Sequence, residues 1–208
     1  MSIFVLPAAG GKEAVIASGA EELVWDWSAD GQWLLVTSAR ATPRRWGVLA
    51  MYPLAAAPHA DAQARVITSH PEHSLFQARF SPDDRWVVFQ ATKAGAQAVV
   101  YVVSSSGGDW TRITEDDVWS DKPQWSPDRK TIYYLSNRST AFFNVWGIRF
   151  DPARGQPVGE PFRVTSFDNP GRMVWPSHAV ELALSTDRLF LPLTEVTGSI
   201  WVLDNVDQ

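Results

Sequence analysis

The sequence contains no cysteine among its 208 residues. This absence excludes a disulfide framework, a thiolate zinc site, an iron–sulfur cluster and a cysteine nucleophile. Positive charge is also sparse, because 18 Lys and Arg residues are outnumbered by 23 Asp and Glu residues. The chain therefore lacks the basic surface of a nucleic-acid-binding protein, and we expect no nucleic-acid partner. Its apolar runs fall short of the roughly 18 residues that span a membrane, so we expect no membrane insertion.

The sequence instead repeats one pattern, which consists of an aromatic residue, Ser, a small residue or Pro, Asp, two turn residues and a β-rich run. Such a phrase predicts a tight turn between two strands, because Pro presets φ and the Asp side chain bonds nearby backbone. The Asp of each copy is therefore interpreted as the cap of its own turn. The copies span residues 27–38, 80–91, 125–136 and, in a degraded form, 182–194, and their acids are Asp30, Asp83, Asp128 and Asp187.

Further strands follow each phrase and complete a repeating unit. Four-stranded units of about 40–50 residues, rich in aromatic side chains, predict an all-β fold, a β-propeller of antiparallel blades. The 11 Trp residues are then explained by packing between blades, where bulky rings fill the wedge between twisted sheets. The predicted third strands lie at 46–52, 99–105, 145–150 and 199–204, the fourth strands at 65–69, 111–115 and 162–166, and the N-terminal residues 3–7 and 13–18 carry the same two pieces.

The blade count indicates about four blades in one region over residues 1–208. Two N-terminal strands, three full blades and three further strands are one strand too many for a closed four-bladed ring, so a partial or open propeller is predicted. Residues 13–18 are the candidate fourth strand of the last blade. An open propeller exposes one blade face and unpaired strand edges, and we expect these to permit self-association. The predicted division is a partial blade at 1–18, blades at 19–69, 70–115 and 116–166, and a partial blade at 167–208.

The repeated phrases resemble those of the TolB-like, or WD40-like, β-propeller repeats. A closer likeness is to the C-terminal propeller of bacterial proteins that also carry a protein-kinase or winged-helix domain, which implies a sensing or interaction role. The sequence departs from the pattern at Asp84 and Arg129, where the repeat has Gly, the residue that most easily adopts positive φ. The resemblance rests on 28–31, 81–83, 126–128, 101–103, 107–108 and 111–114, and the closer likeness on 70–73, 119–123 and 157–162.

Two clusters contain potential metal ligands, but neither has the ligand spacing of a metal site. His70, Glu72 and His73 offer imidazole and carboxylate ligands, but Pro71 prevents a regular helical turn and no third histidine is near in sequence. The acidic loop at 115–117 lacks the alternating ligands and Gly of a calcium loop. We therefore predict no metal and no cofactor.

The sequence also lacks the motifs that indicate a catalytic site. The sequence has no G-x-S-x-G nucleophile turn, and Ser177 and His178 are neighbours on a predicted strand, so their side chains point to opposite faces. No Gly-rich phosphate loop precedes a helix. We predict no catalytic residues, and the chain is expected not to be an enzyme.

One surface is predicted to bind a partner. The loops between second and third strands, and those that lead into the next blade, emerge on one face of a propeller, where binding residues concentrate. A mixed polar and aromatic surface suits a protein or peptide partner, or a small ligand. We call this surface the loop face; its candidate binding residues are His70, His73, Trp119, Asp121, Lys122, Arg138 and Phe142, with Arg44 and Arg45 beside them.

Three functions stay open at this point. The first is a non-catalytic scaffold or sensor module, the C-terminal part of a larger signalling protein. The second is the accessory propeller of a prolyl-oligopeptidase-like serine peptidase, and the third is a periplasmic TolB-like component of an envelope complex. Residues 1–11 have no basic charge before a short apolar run, unlike a signal peptide. The chain as given is therefore expected in the cytoplasm, and in the periplasm under the third function.

Overall fold

A computed structural model describes residues 2–18, 21–39, 46–54, 63–175 and 181–198. Every regular secondary-structure element assigned in these residues is a β-strand. Every pairing between these strands is antiparallel. The predicted all-β class is therefore confirmed. A helix long and apolar enough to cross a membrane is not found in the described residues.

An N-terminal hairpin precedes three complete four-stranded sheets whose strand order follows the chain. The hairpin consists of β1 (Ser2–Val5) and β2 (Ala14–Ser18). Blade 1 consists of β3 (Glu22–Trp27), β4 (Trp33–Ser38), β5 (Val48–Pro53) and β6 (Arg65–Ser69). Blade 2 consists of β7 (His73–Phe80), β8 (Trp86–Lys93), β9 (Ala98–Ser104) and β10 (Thr111–Arg112). Blade 3 consists of β11 (Ser120–Trp125), β12 (Thr131–Ser136), β13 (Asn144–Asp151) and β14 (Gln156–Arg163).

The last blade is built from four short strands that pair two by two. They are β15 (Arg172–Met173), β16 (Ala183–Leu184), β17 (Leu189–Phe190) and β18 (Thr194–Glu195), and β15 pairs with β18 while β16 pairs with β17. The strands β15 and β16 therefore occupy the place of a single first strand. The predicted third strand at 199–204 lies outside the described residues.

The first strand of the last blade carries an insertion. Met173 pairs with Thr194 and Ala183 pairs with Phe190. The two pairings are therefore ten residues apart on the first strand but only four residues apart on its partner. The corresponding strand of blade 3 has only a one-residue β-bulge, because Asp121 pairs with Leu135 and Gln124 with Tyr133. We call residues 174–182 the first-strand insertion; residues 176–180 of it lie outside the described residues.

Apolar clusters lie between successive sheets, as face-to-face packing of blades requires. Ile16 of the hairpin packs with Tyr52 of blade 1, and Leu49 of blade 1 packs with Phe89 of blade 2. The remaining two clusters join blade 2 to blade 3 and blade 3 to the last blade. The packing interpretation is confirmed for six Trp residues, which are Trp25, Trp33, Trp86, Trp110, Trp125 and Trp146.

The sheets do not close into a ring within the described residues, since no strand pairing there joins the N-terminal hairpin to the last blade. The predicted partial, open propeller is therefore confirmed. Strand β2 pairs with β1, and the described residues show no pairing of β2 with the last blade that would make it a fourth strand there.

The outer strand of blade 3 corrects one sequence prediction. Strand β14 begins at Gln156, whereas a closing strand was predicted at 162–166. The reason is a tight turn in which Gly155 donates its amide to the carbonyl of Asp151 at 2.8 Å. Gly155 has φ 68°, and the Trp86 ring would lie 2.2 Å from an added Cβ, so both backbone conformation and packing require glycine here.

Candidate functional site

The described loop-face residues fall into two groups. His70 and His73 lie where the chain passes from blade 1 to blade 2. The other five, Trp119, Asp121, Lys122, Arg138 and Phe142, lie on blade 3 and on the loops that border it. Arg44 and Arg45 lie outside the described residues.

The two histidines contact each other directly. Their Nδ1 atoms are 2.9 Å apart, and the Glu72 amide donates to His70 Nδ1 at 3.1 Å. Because His70 Nδ1 is already an acceptor, the proton between the rings belongs to His73. Both rings pack against Trp110, at centroid distances of 5.3 and 5.8 Å.

This arrangement favours an uncharged His73 ring. Burial lowers the pKa of His73, and the neighbouring charges of His70 and Lys93 lower it further. Within the described residues, no group of three or more His, Cys, Asp or Glu side chains is placed to hold a metal ion. The histidines therefore pack the junction between two blades, and they give it a group that titrates as the pH falls.

Two loops that border blade 3 are joined by side-chain contacts and form one rim. The Trp119 amide donates to Asn137 Oδ1 at 3.1 Å, and the Arg138 guanidinium pairs with Glu115 at 2.5 Å. Arg138 also lies over the Trp146 ring, 5.8 Å from its centroid. We call residues 115–119 and 137–143 together the blade 3 rim.

Phe142 belongs to the same rim and is held through its backbone. Its amide donates to Thr140 Oγ1 at 3.2 Å, and its carbonyl accepts from the same hydroxyl at 2.8 Å. The Phe142 side chain is half-buried. The rim therefore presents half-buried Trp119, Arg138 and Phe142 on loops fixed by their own hydrogen bonds.

Beneath the rim, Asp121 and Lys122 form a second layer. The Trp119 indole donates to Asp121 Oδ2 at 3.1 Å, and Lys122 Nζ lies 3.8 Å from the same oxygen. The Lys122 side chain is only 2% exposed. The structure thus places Lys122 in the interior, although its position beside a loop suggested an exposed binding residue.

A β-bulge explains the burial of Lys122. Its φ is 53°, and Gln77, in the matching strand of blade 2, has φ 54°. The Lys122 amide donates to Gln77 Oε1 at 2.6 Å, so the two bulges are linked across the blade junction. Bulges of this kind redirect side chains, which sequence spacing alone does not reveal.

The other end of the first strands carries a pocket that sequence reasoning missed. It has a volume of about 270 Å³. Asp26, Arg79 and Gln124 line it, and each stands two residues before the Ser of its own turn phrase. Comparison of the repeats would have shown that this position is acidic in blade 1, basic in blade 2 and an amide in blade 3.

Arg79 is fixed at this pocket by groups from three parts of the chain. Its guanidinium donates to the carbonyls of Trp25 and Ala78, and it pairs with Glu181 at 3.2 Å. Glu181, a described residue of the first-strand insertion, therefore lies against a strand of blade 2. We call this arrangement the Arg79 pocket.

Asp26 lies beside Arg79 in the same pocket. Its Oδ2 accepts the amide of Phe80 at 2.8 Å. Burial raises the pKa of the Asp26 carboxyl, and the amides of Trp27 and Phe80 together with the Arg79 charge oppose that rise. The carboxylate is therefore partly desolvated, with a cation close to it.

Known proteins share the fold of this chain. Its sequence is 34% identical over 64 residues to the uncharacterized peptidase YuxL of Bacillus subtilis (strain 168), a match that covers 31% of this chain and 10% of that protein. Among solved structures, TolB from Acinetobacter baumannii superposes with a TM-score of 0.59 at 17% identity, over 96% of this chain and 47% of TolB. A prolyl endopeptidase structure superposes with a TM-score of 0.64 at 13% identity, over 93% of this chain and 28% of that chain.

These structural likenesses show the fold alone. The chain spans about a tenth of the curated relative and about half of TolB. No protein-family model matches the sequence. The TolB-like part of the resemblance is confirmed, whereas the kinase or winged-helix context stays a prediction.

Proposed function

We propose that this chain, whose fold is that of the TolB-like β-propellers, is a non-catalytic module that binds a protein or peptide through the blade 3 rim. The observation that carries the proposal is the connection of two loops by the Trp119–Asn137 and Arg138–Glu115 contacts. Loops that are already ordered lose little conformational entropy on binding, which favours recognition.

The composition of the rim supports a protein or peptide partner. Trp and Arg are the residue types that most often carry binding energy at interfaces. Trp119, Arg138 and Phe142 are each half-buried, so part of each side chain remains available for contact. Asp116 and Asp117 beside them are exposed, which adds polar groups around the aromatic centre.

Peptide selection tests this proposal. A random peptide library is selected on the wild-type chain, and the recovered peptides are measured against Arg138→Ala and Phe142→Ala, with Val66→Ala on the outer strand of blade 1 as the control. We expect the two rim variants to bind at least about tenfold more weakly, the cost typical of a contact residue at an interface, and the control to bind as wild type does. Equal binding by all variants would refute the rim as the binding surface.

Trp119 needs a separate control, because its indole also holds Asp121. Thermal unfolding of Trp119→Ala distinguishes binding from packing. Weak peptide binding at an unchanged melting temperature supports the rim; a large fall in the melting temperature means that Trp119 packs the blade instead.

A second function is the accessory propeller of a serine peptidase. The 34% identity to the peptidase YuxL over 64 residues favours it. The test is the length of the native protein, measured by mass spectrometry, together with hydrolysis of a chromogenic peptide substrate by that full-length protein. A linked hydrolase domain with activity supports this function, and its absence from the native polypeptide rejects it.

A further inference from the structure

The Arg79 pocket gathers equivalent positions from three successive blades, yet each position carries different chemistry. Asp26, Arg79 and Gln124 all stand two residues before the Ser of a turn phrase, and all three line the same pocket. Asp26 and Arg79 each also contact the backbone of the neighbouring blade. Together with Gln124 they present an acid, a base and an amide to one pocket, and a few convergent polar groups of this kind are typical of a small-molecule site.

The polar groups of the pocket retain hydrogen-bonding capacity. Of the five N–H donors of the Arg79 guanidinium, three have partners among the described residues, namely two backbone carbonyls and Glu181. Two donors are left on a side chain that is 18% exposed. The Gln124 side chain has no hydrogen bond to another described residue and is half-buried.

The charges of the pocket select among ligands. Arg79 opposes the entry of a simple cation, whereas Asp26 and Asp84, both of which line the pocket, oppose a simple anion. A ligand that carries both charges satisfies Arg79 with its carboxylate and Asp26 with its ammonium group. Glu181 pairs with Arg79 from the insertion and acts as a positioning residue for the guanidinium.

An apolar wall completes the site. Trp27 is 48% exposed, which is unusual for an aromatic side chain of this size, and it lines the pocket. Exposed Pro82 lines the pocket as well. The volume of about 270 Å³ lies just below the range of about 300–1,000 Å³ for small-molecule sites, so it suits a ligand the size of a single amino acid rather than a peptide.

We propose that the Arg79 pocket binds a free α-amino acid, with its carboxylate on Arg79, its ammonium group on Asp26 and its side chain against Trp27. This site is distinct from the blade 3 rim, and the inference does not depend on the rim binding a partner.

The experiment begins with the full chain and a panel of the twenty common amino acids, each tested for an increase in melting temperature and for saturable quenching of tryptophan fluorescence. The best binder is then compared with its N-acetyl derivative, which lacks the cation, and its amide, which lacks the carboxylate. We expect saturable binding of the free amino acid and at least about tenfold weaker binding of both derivatives. Absence of binding by every amino acid, or equal binding of either derivative, overturns the proposal.

Variants assign the binding to this pocket. Arg79→Gln and Asp26→Asn are each expected to weaken binding at least about tenfold, whereas Glu72→Gln, which breaks the distant pair with Lys93, is the control and should bind as wild type does. Because Arg79 also contacts backbone, Gln124→Ala provides a variant with no hydrogen bond to lose, and weaker binding by it supports the site. Wild-type affinity in Arg79→Gln and Gln124→Ala would refute it.

Discussion

The carboxylate of Asp84 in blade 2 accepts the backbone amide of Ala29 in blade 1, at 2.8 Å, and that of Asp30 at 3.0 Å. Asp84 occupies the position where the repeat pattern has Gly, and its φ is 57°. The equivalent residue of blade 3, Arg129, has φ 66° and pairs with Asp83 of blade 2 at 2.9 Å. Both departures from Gly therefore use a costly backbone conformation to join neighbouring turn phrases.

Replacing these two residues by Gly is expected to have different consequences. A residue with a Cβ costs about 1–2 kcal/mol in the left-handed region, and Asp84→Gly removes that cost together with two charge-assisted hydrogen bonds. Hydrogen bonds to charged groups contribute about 1.5–3 kcal/mol each, and these two are exposed, which places them at the lower end. We therefore expect Asp84→Gly to lower the unfolding free energy by about 1–2 kcal/mol. Urea unfolding measures it.

Arg129→Gly is the matched comparison. The Arg129 side chain is 47% exposed, and exposed ion pairs contribute about 0.2–1 kcal/mol. Relief of the backbone cost therefore equals or exceeds the loss, and we expect the unfolding free energy to stay equal or rise by up to about 1 kcal/mol. A loss in Arg129→Gly as large as in Asp84→Gly would contradict this account.

The histidine pair predicts a dependence of stability on pH. The folded-state pKa of His73 lies below the value of 6.5 for a free histidine, so the unfolded chain binds this proton more readily. The contribution of His73 to stability is therefore complete above the unfolded pKa and is lost as the pH falls through 6.5 toward the folded pKa. Melting temperatures measured from pH 8 to pH 5 should fall more in wild type than in His73→Phe, which retains an aromatic ring beside Trp110.

The control for this prediction is Asp116→Asn. Asp116 is exposed and pairs with Arg112, and it is not among the charges that shift the pKa of His73, so this variant should show the same fall in melting temperature as wild type. A pH dependence that is the same in wild type and His73→Phe would mean that His73 does not titrate as described.

The turn phrases and the blades could be predicted from sequence because their interactions are local. Ser81 Oγ donates to Asp83 Oδ1 at 2.7 Å, and the same bond recurs from Ser28 to Asp30 at 2.7 Å, within two residues along the chain. The structural interpretation of these acids is therefore confirmed. The blade 3 loops could likewise be placed on one face from the strand order alone.

The Arg79 pocket and the burial of Lys122 could not be predicted in this way. Arg79 and Glu181 are 102 residues apart in sequence, and no repeated motif links the two positions. Lys122 turns inward through a bulge with φ 53°, a conformation that Gly normally signals. Neither the pattern of apolar residues nor the turn chemistry reports such a change in backbone direction.

The pair of Lys122 and Asp121, whose side chains are 2% and 14% exposed, predicts unequal effects of two substitutions. Lys122→Met removes a desolvated cation whose carboxylate partner is 3.8 Å away, and Asp121 keeps the Trp119 indole as a donor. Asp121→Asn instead leaves the cation without that carboxylate, and breaking a buried pair from one side typically costs 3–5 kcal/mol. We expect Asp121→Asn to lower the unfolding free energy by about 2–4 kcal/mol and Lys122→Met to change it by less than about 1 kcal/mol.

Urea unfolding of both variants checks this asymmetry, with Asp116→Asn as the control for an exposed acid of the same loop. Asp116 pairs with Arg112 at 2.9 Å and is 71% exposed, so its loss should be nearly neutral. Equal destabilisation by Lys122→Met and Asp121→Asn would show that the lysine stabilises the blade instead of being tolerated by it.

Exposed apolar side chains on the first and last sheets predict self-association. Leu6, beside the N-terminal hairpin, is 61% exposed and Phe190 of the last blade is 55% exposed, on sheets that no described strand pairing joins to each other. Apolar surface that is left uncovered at the end of a stack of blades favours association with another copy. Light scattering after size-exclusion chromatography should show a mass that rises with protein concentration. The double variant Leu6→Lys and Phe190→Lys should weaken the association about tenfold or more, because each lysine would be desolvated in the contact.

Val66→Lys, which changes a 57% exposed residue on the outer strand of blade 1, is the control. A constant monomer mass at all concentrations, or an equal effect of Val66→Lys, would contradict association through the end sheets.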